Sequence, residues 1–371
     1  MRLTIIFIPH HLHFAHVQAV ILAAGRGSRL LPLTQDRPKP LIPFMNELVI
    51  DRIIQRFINA GVDRFMFLVD YKKEKLIQHL QRWKNRIEFE IRDNNLPFGT
   101  AGAVKRNMDW LDDIFFVSSS DLITEINLKE MIHFHHAQGS KLTVAFSESD
   151  EVSHYGIATM DEHGKLTKFL EKPRETEAFS NIVNAGIYIV HREALAHVPP
   201  DCAFDFSRDL FPYLIGRNYP IYGYKFREYW NDIGRHSSYL FATHEAIRGK
   251  VTYSKNFIVK HHPKGVLYCT EDTSVGDIEF ENFVVTGHNV VIENDCKLAN
   301  TVLWDGVHIG ASTRIDEAII AENVVIGKNC KIMSGVVIGP NTVVGDNVTL
   351  GQNLKLWGNS NIPPGTVLVG E

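Results

Sequence analysis

The chain has no Gly-Lys-Ser or Gly-Lys-Thr triplet in its 371 residues, which excludes a Walker phosphate loop. Cysteine is scarce: Cys202, Cys269, Cys296 and Cys330 stand apart, without CxxC spacing. Neither a disulfide framework nor a structural zinc site is expected, and buried free thiols in a reducing compartment fit better. Long blocks of one charge are also missing, and the net charge is only −4. Nucleic acid and membrane surfaces are therefore not expected partners, and a cytoplasmic location is the expectation. The apolar stretch at residues 4–8 is too short to span a bilayer, and Pro9 breaks it too early for a good signal peptide. Residues 1–16, with His10, His11, His13 and His16, read as a disordered or artefactual extension before a true start at Val17.

Near the start there is a glycine-rich stretch. Residues 19–23 form a short apolar run, expected to be a strand buried on both faces. Gly25 and Gly27 follow, where the backbone is expected to take conformations closed to other residues and to approach a ligand. Arg26, Arg29 and Lys39 come next. Backbone N–H groups at a strand end, with three cations converging on them, make a receptor for several phosphates. A dinucleotide fingerprint is excluded because Leu30 stands where its third glycine would be. Pro32, Pro38 and Pro40 also prevent the helix that should follow, and the nearby acid, Asp51, reads as the first turn of a helix.

Two domains are expected. Through residues 17–249, apolar runs alternate with helical spacing, as in Ile50, Ile53, Ile54 and Phe57. That alternation predicts an α/β domain: a Rossmann-like, mostly parallel sheet with helices on both faces. Over residues 250–371 helical spacing disappears. From Ile326 an aliphatic recurs at every sixth position, through Ile332, Ile338, Val344, Leu350, Leu356 and Ile362 to Leu368. Ile292, Leu298, Leu303, Ile309, Ile315 and Ile320 keep the same beat with two five-residue slips. A hexapeptide period predicts a parallel β-helix, here left-handed, whose flat sides suit assembly into a homo-oligomer.

Asp121 follows the apolar strand Ile114-Phe115-Phe116-Val117 and three serines, at the carboxyl edge of the predicted sheet. A carboxylate facing a polyphosphate calls for a divalent cation between them. Magnesium takes one or two carboxylates plus phosphate oxygens, with Asp232 as the candidate second ligand. Gly99-Thr100-Ala101-Gly102 is a small-residue turn that could admit a flat base or pack a helix closely. His133, His135 and His136 on one helix read as surface and packing residues.

With Tyr155-Gly156, Glu171-Lys172-Pro173, Asn184-Ala185-Gly186 and Trp230-Asn231-Asp232-Ile233-Gly234, these motifs stand in the order of the sugar-nucleotide pyrophosphorylases, which residues 18–249 resemble. Among them the mannose-1-phosphate guanylyltransferases look most similar. The resemblance implies transfer of a nucleotidyl group from an NTP to a sugar 1-phosphate, with GTP and mannose 1-phosphate as the expected pair. It implies that residues 22–27, with Leu22, Ala23, Gly25, Arg26 and Gly27, hold base and ribose, and that Gly99 and Thr100 cover the base. Arg29 and Lys39 would bind the triphosphate, Lys172 the sugar phosphate, Gly156, Glu171 and Asn184 the sugar hydroxyls, and Asp121 and Asp232 the Mg2+. Asn94 stands where similar guanylyltransferases carry a base-reading carboxylate, and Arg235-His236 where many relatives have Thr-Pro. Other sugar and nucleotide pairs, an acyltransferase β-helix using His288 or His308, and a non-catalytic regulatory homologue are the alternatives.

Overall fold

The computed structural model describes residues 17–94, 98–253 and 256–370, so the expected extension at 1–16 lies outside the described residues. The strand Gln18–Ala23 lies at the middle of the first domain, paired in parallel with Arg64–Val69 on one side and Ile114–Ser119 on the other. Glu88–Asp93 extends the sheet beyond Arg64–Val69, again in parallel. Past Ile114–Ser119 comes Ile182–His191, antiparallel to both its neighbours, then Leu142–Glu148 and Ile221–Lys225, parallel to each other. The sheet is thus mostly parallel, with Ile182–His191 inverted among these strands. Alternate residues of the central strand face different cores: Ala19, Ile21 and Ala23 pack with Ile50, Ile54 and Phe57, and Val20 with Ala101 and Val104. That division is the period-2 pleat of a strand covered by helices on both faces. The helix Val49–Asn59 buries Ile50, Ile53, Ile54 and Phe57 along one stripe, as their spacing predicts.

Gly156–Met160 and Leu166–Glu171 form an antiparallel hairpin that meets the inverted strand through Val183 and Ile157. His135, on the helix Leu128–Ala137, is a core residue: it is buried, and its Nδ1 lies 2.8 Å from the Thr143 hydroxyl. Burial pushes its imidazole down to about 3.

The second domain is a triangular solenoid: its first coils carry strands of five to eight residues, such as Gly265–Cys269, Glu279–Thr286 and Lys297–Leu303, and the later coils strands of two or three. Ile292, Ile309 and Ile326 stack in one sheet 17 residues apart, and Ile326, Val344 and Ile362 continue it 18 apart. The two five-residue slips therefore each remove one residue from a coil without losing the inward aliphatic. Three residues before each beat from Ile326 onward the backbone turns left-handed, at Asn323, Asn329, Gly335, Asn341, Asn347, Asn353, Asn359 and Gly365, with φ of 55–77°. Asparagine and glycine are the residues that tolerate that conformation. Cys269, Cys296 and Cys330 are buried free thiols, and Cys202 is half-buried.

The two domains share one core. Val302, Trp304, Ile319, Ala321 and Val337 point outward from the solenoid and pack with Tyr239, Phe44 and Met45 of the first domain. The Trp304 indole N–H donates to the Tyr239 hydroxyl at 3.1 Å, which donates to the Pro43 carbonyl at 2.8 Å. Among the described residues no helix is long and apolar enough to cross a membrane.

Candidate active site

The central strand and Ile114–Ser119 end at the same edge, where the glycine loop leaves one and Asp121 follows the other. Gly27 has φ 64°, and a Cβ there would lie 3.0 Å from the Thr34 methyl and 3.2 Å from Lys39 Cβ. Its conformation and the close return of the chain both demand glycine. Gly25 differs from expectation: it avoids the left-handed region, and a Cβ there would meet nothing within 4 Å. No protein contact requires glycine at 25; the open face leaves room for a ligand. Among the described residues, none accepts a hydrogen bond from the N–H of Gly25, Arg26 or Gly27; the first two residues are exposed and Gly27 is half-buried. The strand end beneath is fixed by the Ser120 hydroxyl, which donates to the Leu22 carbonyl at 2.7 Å, while Ala23 is buried.

Trp230–Asp232 pairs antiparallel with Leu122–Thr124, and the Ile233 N–H donates to the Asp121 carbonyl at 3.1 Å, so Asp232 comes beside Asp121. Both carboxylates take the Lys39 ammonium, which bonds Asp121 and lies 3.3 Å from Asp232. A Cβ at Gly234 would lie 2.9 Å from Asp232, 3.0 Å from Arg29 Nη2 and 3.2 Å from Lys39 Nζ. Arg29, Lys39, Asp121 and Asp232 therefore share one cluster, and Gly234 is bare because its neighbours crowd it. Burial alone would lower the Lys39 ammonium, but the two aspartates outweigh it and hold the group above its ordinary value. Burial, then repulsion from Asp121, pushes the Asp232 carboxyl upward against the pull of Lys39 and Arg29. Two crowded carboxylates with one ammonium between them suit a divalent cation. Among the described residues no group of three or more His, Cys, Asp or Glu could hold a metal.

Lys172 joins this edge through the hairpin. Its N–H donates to the Tyr155 carbonyl at 3.0 Å, and its ammonium lies 3.8 Å from Glu171. Lys172 has φ 48°, an uncommon conformation for a residue with a Cβ. His154 is lowered by burial first and then by the positive charge of Arg235, Arg29 and Lys172, against the pull of Glu151, whose carboxylate lies 4.0 Å away. Tyr155 is pushed up to about 12 by burial and by Asp232, and its ring meets Trp230 edge-on at 5.0 Å. Gly156 lies under Phe169 and Glu171: a Cβ there would come within 2.7 Å of Glu171 Oε2. That same Oε2 is buried with no hydrogen-bond partner among the described residues, and burial raises the carboxyl. Asn184 sits on the inverted strand, donating to the Tyr188 hydroxyl at 3.0 Å and accepting from the Gly186 N–H at 3.0 Å.

The turn at Gly99 is held by the protein itself. The Thr100 N–H and hydroxyl reach Asp205 Oδ1 at 2.9 and 3.2 Å, and a Cβ on Gly99 would strike the Phe204 backbone at 2.7 Å. Close packing thus accounts for these small residues. The Asn94 N–H donates to the Val69 carbonyl at 2.7 Å. His288 and His308 face Asp272 and Glu293, each at 3.0 Å, as surface pairs on the solenoid.

Two residues gain a role that the motifs did not suggest. Arg235 contributes positive charge that helps to lower the His154 imidazole. His236 lies 3.1 Å from the Leu30 carbonyl through Nε2, pinning the turn that carries Arg29. Burial pushes its imidazole down to about 4, so it is neutral and donates from Nε2. His135 and His236 both have folded values below the ordinary one near 6.5. Their contribution is whole above pH 6.5 and is lost as pH falls toward about 4 for His236 and about 3 for His135. Each costs roughly 1.4 kcal/mol per pH unit over that span. Urea unfolding midpoints are expected to fall from pH 7 to pH 5, with a shallower fall in His135→Asn; a midpoint flat over that range rejects the assignment.

The mixed sheet, the glycine loop and the cluster of Arg29, Lys39, Asp121 and Asp232 lie together in the α/β domain. The family description Nucleotidyl transferase matches residues 18–248, and the description EIF2B subunit epsilon LbH domain matches 253–350. The chain belongs to the nucleotidyl transferase family. It is 30% identical to a UTP–glucose-1-phosphate uridylyltransferase of Synechocystis sp., covering 88% of this chain and 82% of that protein. It is 28% identical to mannose-1-phosphate guanylyltransferase 1 of Arabidopsis thaliana, covering 87% and 91%. In fold it is similar to a putative glucose-1-phosphate thymidylyltransferase from Bacillus anthracis, with TM-score 0.58 and 21% identity over 64% of this chain and 98% of that one. The resemblance to sugar-nucleotide pyrophosphorylases therefore stands.

Proposed function

We propose that the protein forms a nucleotide sugar and pyrophosphate from an NTP and a sugar 1-phosphate, with GTP and mannose 1-phosphate as the pair. The observation that carries the reaction class is the convergence of Arg29, Lys39 and Asp232 on Gly234, beside Asp121. The sugar phosphate is largely dianionic at neutral pH, its second pKa being about 6, so its oxygen attacks without a general base. That oxygen bonds to the α-phosphorus, the bond from the α-phosphorus to the bridging oxygen breaks, and pyrophosphate leaves with the electron pair. The obstacle is repulsion between two anions. Arg29 and Lys39 bind the triphosphate and steady the leaving pyrophosphate, and Lys172 grips the incoming phosphate.

Asp121 and Asp232 would hold a magnesium ion, which when bound neutralises phosphate charge and orders its oxygens. The loop from Leu22 to Gly27 presents its free N–H groups to the nucleotide, with Arg26 at its rim and the Asn94 and Gly99–Thr100 segments on the base side. Glu171, with an unpartnered buried oxygen, accepts from a sugar hydroxyl, flanked by Gly156 and Asn184. Guanylyltransferases among the relatives, including the yeast protein at 33% identity, support the choice of GTP and mannose. The Asn94 amide, which can present acceptor or donor, is compatible with guanine.

The experiment is a matrix of GTP, UTP, ATP and dTTP against mannose, glucose and related 1-phosphates, scored by pyrophosphate release with magnesium. Release with GTP and mannose 1-phosphate alone is the expected result. Preference for another pair replaces the substrate assignment, and no release with any pair overturns the reaction class.

A further inference from the structure

Three polar contacts join residues 35–46 of the first domain to the solenoid. The Gln35 side chain accepts from the Gly358 N–H at 2.8 Å, and Asn46 donates to the Thr286 carbonyl at 3.0 Å. Between them, Arg37 forms an ion pair with Glu322, its guanidinium 5.3 Å from the centre of the Trp304 ring. Gly358, Thr286, Glu322 and Trp304 all belong to the solenoid. The segment they grip carries Lys39, which lies in the short turn Lys39–Leu41. On its far side Tyr71 donates to the carbonyls of Thr34 and Gln35, each at 3.2 Å.

The link from Arg37 to Lys39 is stiff. Pro38 and Pro40 flank Lys39, fixing φ on both sides and restricting Lys39 itself. A displacement of Arg37 is therefore passed to Lys39 rather than absorbed between them. Arg37 is the cation that compensates the Glu322 carboxylate, whose Oε2 is buried with no hydrogen-bond partner among the described residues. Losing either partner leaves the other charge partly buried and uncompensated.

We propose that the solenoid is a positioning element for the phosphate loop, and that Glu322 is a positioning residue that sets Lys39 through Arg37. Glu322 touches neither substrate; it acts on the loop that does. The inference rests on the role given to Lys39 above, so its test includes a measurement that needs no turnover.

The full chain is compared with Glu322→Ala, Arg37→Ala, the double variant and Glu322→Gln, which keeps an oxygen facing Arg37. Amide hydrogen exchange is read first, without substrates. The N–H groups of Leu41 and Ile42, which donate to the carbonyls of Pro38 and Lys39, are expected to exchange about tenfold faster in Glu322→Ala. Exchange in Gln18–Ala23 should be unchanged. Pyrophosphate release is read second: kcat is expected to fall about tenfold with KM for the sugar phosphate unchanged, since a misplaced group costs rate at a distance. The double variant should be no worse than the worse single, and Glu322→Gln should recover most of the loss. Unchanged exchange at Leu41 and Ile42, additive losses, or exchange faster throughout the chain overturns the proposal. Failure of the wild-type chain to release pyrophosphate, with the exchange result as expected, overturns the reaction class and leaves the loop contact standing.

Discussion

Lys39→Ala is expected to lower kcat by about 10²–10³-fold, the cost typical of losing one group aimed at developing charge. Lys39 serves two partners. Its ammonium would meet the departing phosphates, and in the structure it neutralises Asp121 and Asp232. Removing it leaves two neighbouring carboxylates, one already raised by burial and by the other's charge. With the pull of Lys39 gone, Asp232 rises further and is protonated over a wider range of pH. The acid limb of kcat/KM should therefore move to higher pH in the alanine variant. Lys39→Arg separates the two effects: it keeps the positive charge, and so the limb, while its planar fork misplaces the donor and lowers kcat. Steady-state profiles from pH 5 to 9 check this. A Lys39→Ala enzyme within threefold of wild type, or one with an unmoved acid limb, would sink the assignment.

The parts of this site legible in the sequence are those that depend on neighbours along the chain. Gly27 and Lys39 stand in one loop, and the turn at Gly27 folds the chain so that a Cβ there would touch Lys39. The solenoid was legible for the same reason, since each inward aliphatic and each left-handed turn recurs within six residues. Contacts made by sheet order were not. The inverted strand Ile182–His191 pairs beside Ile114–Ser119 and meets the hairpin that leads to Lys172, and no local pattern records that insertion. Trp304 and Val302 look like any other members of a β-branched solenoid, although they face the first domain rather than the solenoid interior. His236 follows a motif without belonging to it, and only the fold reveals that it reaches back to Leu30. Gly25 and Gly27 look equivalent in sequence, yet backbone geometry makes one obligatory for folding and leaves the other free for a ligand.

Lys172→Ala should raise KM for the sugar 1-phosphate by about 10²-fold, near the worth of a charge-assisted contact to phosphate, and change kcat far less. Arg29→Ala should do the reverse, lowering kcat about 10²–10³-fold with a small change in KM. The two cations differ in what they face. Lys172 stands on the hairpin with Gly156 and Glu171, the wall assigned to the sugar, and binds a phosphate that carries its full charge before reaction. Arg29 stands with Lys39 and Asp232, where on the proposed assignment the triphosphate is already held by several groups and its negative charge grows as pyrophosphate departs. The φ of 48° at Lys172 supplies a control. Alanine keeps the left-handed cost of about 1–2 kcal/mol, and glycine removes it. Lys172→Gly should therefore be at least as stable as Lys172→Ala and lose the same affinity, so that weak binding follows the ammonium and not the backbone. If glycine restores affinity, the lysine matters as a hinge; if both variants bind sugar phosphate normally, the hairpin wall is not its site.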